Sequence, residues 1–189
     1  MQSHGCVVEE ASLGFDPARL WECWRVHRHW LAGGRLLAYY RNPATRDLLK
    51  PEAQWEVEQG LRLSAIDVYD ASIVRTEWYL ALRKLLAAFD CVVMPSAQVF
   101  PFNANIHWPK AIANRPMDCY LRWMEVVTPV TLSGCPAISV PVGFSPEGLP
   151  IGMQIIGRAH ADFDILRIAY AYEQMTGWVT KRLPPKLMA

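Results

Sequence analysis

Apolar positions in the first part of the chain recur at spacings of three and four, the period of a helix with one buried face. Leu20, Trp21, Trp24, His27 and Leu31 fall on one such face. Asp16-Pro17 just ahead of them reads as an N-cap followed by proline at the first helical position, where the missing N–H removes no helical bond. Gly33-Gly34 is expected to break or bend this helix, leaving a second piece over 35–40 that ends before Pro43. Lys50-Pro51 opens another helical region, expected to run to about Phe89 with a weak point at Gly60. Leu63, Ile66, Tyr69, Ile73, Trp78, Leu82, Leu85 and Phe89 form its apolar stripe. A helix of that length is unusual in a small domain and suggests a strut across a larger body.

Short apolar runs bounded by proline and glycine mark the strands. Cys6 to Glu9 reads as a short strand, and Cys91-Val92-Val93-Met94, stopped by Pro95, as a buried one. Residues 95–116 hold four prolines and little periodicity, the mark of a long ordered loop, and such loops often carry function. A helix is expected from about Met117 to Val127, limited by Pro129. Pro136–Pro141 and Pro150–Gly157 read as two strands joined by the turn Ser145-Pro146-Glu147-Gly148, an antiparallel hairpin. A last helix runs from Asp162 to about Thr176 and stops at Gly177. The tail at Pro184-Pro185 is expected to be a loose end. The order implies an α/β fold in which helices cover a sheet. So much helix over about four strands looks like half of a larger structure.

Composition narrows the classes. Hydrophobic residues at 52% of 189 exclude a disordered or fibrous chain and suffice for a sizeable core. The eight tryptophans should be mostly buried. The 19 Lys and Arg nearly cancel the 18 Asp and Glu, and no like-charge run reaches five residues, so neither a nucleic acid nor a membrane partner is expected. No apolar stretch approaches a membrane span, and the N-terminus carries no signal-peptide pattern. Five cysteines at irregular spacing, without C-x-x-C, fit free thiols in a reducing compartment, which points to the cytoplasm.

The residues alone yield no complete catalytic constellation. There is no G-x-S-x-G or S-x-x-K around Ser133 or Ser139, and both serines read as structural. Cys135, between Gly134 and Pro136, would need a base such as His107 or His160 beside it to act as a nucleophile, and the hydrophobic reading of its thiol is preferred. Cys23, His27 and His29 supply at most two metal ligands on one helix face, too few for a zinc site. Asp67 and Asp70, three apart on a helix, read as a solvated face. No cofactor and no metal is expected.

The segment from Thr128 to Phe144, with Gly134, Pro136, Pro141, Gly143 and Phe144, resembles the N-x-x-G-x-P-x-x-x-x-P-x-G-F hallmark of the amidase signature family. Gly148-Leu149-Pro150-Ile151-Gly152-Met153-Gln154-Ile155-Ile156-Gly157 matches that family's next run, and Asp162, Asp164, Leu166 and Glu173 match its acidic helix. The resemblance is strong over 128–176. It is weaker over 1–127, where Asp90–Pro95 resembles a strand of the same fold and His4–Glu9 a helix end and strand that lie past its catalytic region.

The resemblance implies that residues 1–189 are a partial amidase domain. Its fold would be the C-terminal portion of the amidase signature fold, a mixed sheet with an antiparallel hairpin covered by helices. The activity it implies is cleavage of a carboxylic amide C–N bond through a serine ester, by a serine, a second serine in a cis peptide and a lysine. No G-G-S-S-G-type run occurs within these residues, so none of the three catalytic roles is assigned here. What carries over is a pocket wall. Glu125 stands where one branch of the family places an acidic substrate-binding residue, and Thr131 stands in place of the usual Asn. Trp123 and Phe102 are the aromatic candidates for substrate contact. The partners implied are a small amide substrate and either a missing N-terminal half or a second copy of the chain. A non-catalytic remnant or binding subunit, pairing with a separate catalytic half, is the alternative.

Overall fold

The computed structural model describes residues 2 and 5–182. Two compact units divide it: residues 14–81, and residues 1–13 together with 82–189. His4 and the Pro184-Pro185 tail lie outside the described residues.

The first unit is helical. Helix α1 (Pro17–Arg41) starts as its sequence predicts, with the Asp16 carboxylate accepting from the Ala18 N–H at 2.9 Å. It then runs unbroken through Gly33-Gly34, where a break is expected. The reason lies in packing: a Cβ on Gly33 would sit 3.3 Å from the Gly60 Cα, and one on Gly60 only 2.5 Å from the His29 carbonyl oxygen. The two glycines are the point where α1 and α3 (Pro51–Leu61) touch backbone to backbone. A short helix α2 (Pro43–Arg46) links them. The long helical region breaks at 62–64, not at Gly60, and α4 (Ala65–Leu86) follows. Ser64 and Asp67 form the reciprocal pair of a capping box there: Asp67 accepts from the Ser64 N–H at 2.7 Å while Ser64 Oγ accepts from the Asp67 N–H at 3.1 Å. The predicted stripe on α4 turns out to be two faces. Trp78 and Leu82 are buried, whereas Ile66, Tyr69 and Ile73 are exposed.

The second unit is built on a three-stranded antiparallel sheet. Strand β4 (Ala137–Phe144) pairs with β5 (Pro150–Ile156) in the expected hairpin, closed by the Gly148 N–H to Ser145 carbonyl bond at 2.9 Å. A register shift interrupts the pairing between Pro141 and Gly143. Strand β1 (Val92–Pro95) lies on the other side of β5. Where a mixed sheet is expected, all the described pairings are antiparallel. The fold class otherwise stands: helices over small antiparallel sheets. Residues 6–9 form no strand; Val7 is exposed, and without a ladder partner an apolar run has nothing to stabilise it as one.

Helix α6 (Asp162–Thr176) covers the hairpin. Ile165, Ala169 and Tyr172 pack on Val140 and Ile155, and the Tyr172 hydroxyl donates to the Pro141 carbonyl at 3.1 Å. Between β1 and β4 the chain is mostly irregular. It holds the two-residue strands β2 (Ala111–Ile112) and β3 (Arg115–Pro116), then a 3₁₀ turn (Arg122–Val127) and α5 (Thr128–Ser133). A regular helix over 117–127 is therefore replaced by a 3₁₀ turn that starts later and an α-helix that accepts Pro129 in its first turn, where proline is tolerated. A short helix α7 (Trp178–Lys181) ends the described chain.

Candidate functional site

Two glutamines hold the 3₁₀ turn in place. Gln154, buried in β5, donates from its amide nitrogen to the Pro95 carbonyl and to the Val126 carbonyl, both at 3.0 Å. Gln98 accepts from the Val126 N–H at 2.9 Å. The end of β1, the middle of β5 and the turn are thus tied to one another by side chains that satisfy backbone groups no ladder reaches. Trp123 stands on that turn. Its ring meets Phe102 edge to face, with centroids 5.5 Å apart, and its indole N–H is buried without an acceptor among the described residues.

These tethers frame a cleft of about 500 Å³ within the second unit. Val99, Phe100 and Phe102 from the loop after β1 line one side with Trp123. Ser139 and Pro141 of β4 and Ile151 and Gly152 of β5 line the other. Ser96 completes the floor: a Cβ on Gly152 would lie 2.8 Å from the Ser96 Oγ and 3.3 Å from the Ser139 Oγ, so the two hydroxyls gather over this glycine. None of the described lining residues is ionisable.

The four sequence candidates separate. Phe102 and Trp123 line the cleft together. Glu125 does not; one of its oxygens takes the Arg122 guanidinium at 2.9 Å and the other lies 3.7 Å from Arg115. Arg122 also binds Asp118 at 3.2 Å, which holds the Asp118 carboxyl below its usual range even though partial burial pushes the other way. The charges beside the cleft are therefore paired with each other. Thr131 also stands outside the lining, its hydroxyl donating to the Val127 carbonyl at 3.0 Å one turn back along the chain.

Three of the other nucleophile and ligand candidates are occupied structurally. Ser133 donates to the Val130 carbonyl at 2.7 Å and accepts from the Cys135 N–H at 3.1 Å, closing α5 where Gly134 takes a left-handed φ of 66°. Cys23 donates to the Ala71 carbonyl at 3.2 Å, and burial pushes its thiol up to about 11. His27 Nδ1 lies 2.8 Å from the Cys23 carbonyl. Sequence reasoning does not single out Gln98, Ser96 or the clamp made by Gln154 as site residues. Gln154 carries a signal, as the one polar side chain in Ile-Gly-Met-Gln-Ile-Ile; Ser96 and Gln98 lie in a loop whose sequence carries none.

The hairpin's glycine floor thus opens into a cleft lined with aromatic rings. The comparisons with known proteins give it a lineage. The family model described as Amidase matches residues 29–166. A glutamyl-tRNA(Gln) amidotransferase subunit from Nostoc sp. (strain PCC 7120 / SAG 25.82 / UTEX 2576) is 43% identical over 151 residues, 77% of this chain and 30% of the relative. Its counterpart from Brevibacillus brevis is 38% identical over 112 residues, 59% of this chain and 22% of its own length. Among solved structures, a bacterial aryl acylamidase of the amidase signature enzymes superposes with a TM-score of 0.82 at 21% identity, over 94% of this chain and 38% of that one. The chain belongs to the amidase signature family. It spans less than a third of the length of these two sequence relatives. Among the described residues no helix is long and apolar enough to cross a membrane.

Proposed function

We propose that these residues are the C-terminal part of an amidase-type hydrolase and supply one wall of its substrate pocket, with the Ser–cisSer–Lys chemistry contributed by a separate N-terminal half. The observation that carries this reading is the cleft itself, which opens on the family's hairpin at Gly152 and is framed by Gln154 of the same motif. Trp123 and Phe102 contact substrate directly in this reading. Glu125, braced by Arg122 and Arg115, and Thr131 stand beside the pocket and bear on substrate through the 3₁₀ turn. The partners are a small carboxylic amide and the catalytic half or a second copy of the chain. All five cysteines are free thiols, which supports a reducing compartment such as the cytoplasm.

The test is a chimaera in which the segment of the Nostoc relative preceding its matched region is fused to this chain. The chimaera should release ammonia from simple amides and lose that activity to a serine-directed probe, while the 189-residue chain alone releases none. A folded chimaera without activity would overturn the reading in favour of a non-catalytic remnant. Hydrolysis by the isolated chain would overturn it from the other side.

A further inference from the structure

We infer that Gln98 is a positioning residue for the cleft: its side-chain amide ties the loop after β1 to the 3₁₀ turn and thereby sets Phe102 against Trp123. This rests on the reading of the cleft as a substrate wall and goes further, to the residue that holds its aromatic side in place.

The two glutamines have different tasks. Both meet Val126, one at each polar group of its backbone. Gln98 Oε1 accepts from the N–H at 2.9 Å, and Gln154 Nε2 donates to the carbonyl at 3.0 Å. Gln154 belongs to β5, so its bond fixes the turn to the sheet. Gln98 belongs to the irregular loop, so its bond fixes the loop to a turn that is already anchored. A backbone N–H is matched only by an acceptor, so this partner also sets which end of the Gln98 amide faces it.

The chain from Gln98 to Phe102 carries the anchor forward. Just before Gln98, the Ser96 N–H donates to the Gly152 carbonyl of the sheet at 3.0 Å. After it, Val99, Phe100 and Pro101 lead directly to Phe102. Pro101 has a fixed φ and disfavours the helical region for Phe100. Few soft torsions remain to absorb a displacement, so a hold at Gln98 is felt at Phe102. On the far side Asn103 closes a turn: its Oδ1 accepts from the Asn105 N–H and its carbonyl from the Ile106 N–H, both at 2.9 Å. Phe102 stands between this anchor and this turn, and its ring meets Trp123 edge to face with centroids 5.5 Å apart. Ring contacts tolerate many geometries, whereas a hydrogen bond weakens steeply off its axis, so Gln98 is what selects one loop conformation. When the loop spends part of its time elsewhere, apparent affinity falls by that fraction. Gln98 therefore acts on substrate binding and leaves bond cleavage alone.

The experiment compares Gln98→Met, which keeps the length of the side chain and removes the acceptor, with Gln98→Glu, which keeps the acceptor. In the chimaera Gln98→Met should raise KM for a simple amide about three- to tenfold, the worth of one hydrogen bond, with kcat unchanged, and Gln98→Glu should restore KM. A second readout needs no turnover. The Trp123 indole N–H is buried without an acceptor among the described residues, so packing alone keeps it from water. Its solvent exchange, followed by NMR in the 189-residue chain, should quicken about three- to tenfold in Gln98→Met and return to the wild-type rate in Gln98→Glu. Pro101→Gly, which slackens the connection and leaves the Gln98 side chain in place, should quicken it too. The β5 amides should keep their rates in all three variants. A fall in kcat with KM unmoved, no rescue by Gln98→Glu, an unchanged indole rate, or β5 amides that quicken with the indole would each overturn the inference. The two readings fail separately. A folded but silent wild-type chimaera, with the indole response intact, removes the amidase reading and leaves the hold of Gln98 on Phe102 standing. An active chimaera whose KM ignores Gln98→Met removes only the positioning role.

Discussion

At the scale of the residue, two buried polar side chains lie in different units and point to different measurements. His29 is 3% exposed on α1, and neither ring nitrogen has a hydrogen-bond partner among the described residues. Its ring meets Trp55 edge to face at 4.9 Å. Burial, with Arg25 and Arg28 adding to it and Glu56 and Glu22 opposing, lowers its pKa from 6.5 to about 4. A depressed histidine pKa means that the unfolded chain binds the proton first. Its contribution to stability is therefore complete above about pH 6.5 and is lost as pH falls towards 4, by up to about 3 kcal/mol. Chemical denaturation between pH 7 and pH 4.5 should show this slope, and His29→Leu should flatten it; an unchanged slope in the variant would show that other groups carry it. Gln154 is legible in the sequence only as an outlier, a lone amide in an apolar strand, and its two carbonyl partners 28 and 59 residues away are beyond any local pattern. Gln154→Ala should cost about 2–3 kcal/mol, because two carbonyls lose their donor. It should also weaken ligand binding, because Trp123 stands on the turn that Gln154 ties down. A loss of stability with unaltered affinity in the folded fraction would show that the turn holds without it.

At the scale of the element, sequence patterns locate the hairpin and its covering helix and misjudge the glycines of the first unit. The hairpin is legible because its signals are local: turn residues at fixed offsets, prolines at the strand ends, an acidic first turn on α6 at Asp162 and Asp164. Propensity alone makes Gly33 and Gly60 weak points, by about 1 kcal/mol each. Tertiary contact reverses the meaning: each lacks a Cβ where the other helix's backbone arrives. Gly34 provides the control, since a Cβ there meets nothing within 4 Å. Gly34→Ala should stabilise the chain by about 1 kcal/mol through helix propensity. Gly60→Ala should destabilise it by about 1–2 kcal/mol net, because the His29 carbonyl it would strike is backbone and cannot swing aside. Thermal melts of the two variants should move in opposite directions; the same sign for both would refute the close-approach account.

At the scale of the whole molecule, what the sequence could not reveal is which apolar faces stay open. A helical period marks the residues that share a face, and it does not say whether that face has a partner within these residues. On α6 both possibilities occur at once. Ile165, Ala169 and Tyr172 face the hairpin, while Phe163, Leu166 and Tyr170, at spacings of three and four on the same helix, are 72%, 56% and 66% exposed. The sheet beneath has β1 and β4 as its outer strands, with no further strand paired to either among the described residues. Three large side chains in one stripe form a sticky surface in water, worth about 1.5–3 kcal/mol for each one covered. The 189-residue chain alone should therefore self-associate, its mass in size-exclusion chromatography with light scattering rising with concentration. Phe163→Glu, Leu166→Lys and Tyr170→Lys together should return it to a monomer without lowering the melting temperature, because none of the three belongs to the α6–hairpin core. In the active chimaera the same three changes should instead reduce stability or activity, since the proposed catalytic half would cover that stripe. A wild-type chain that is monomeric at all concentrations, or a triple variant that still associates, would remove α6 as the open face and leave the outer strands β1 and β4 as the next to test.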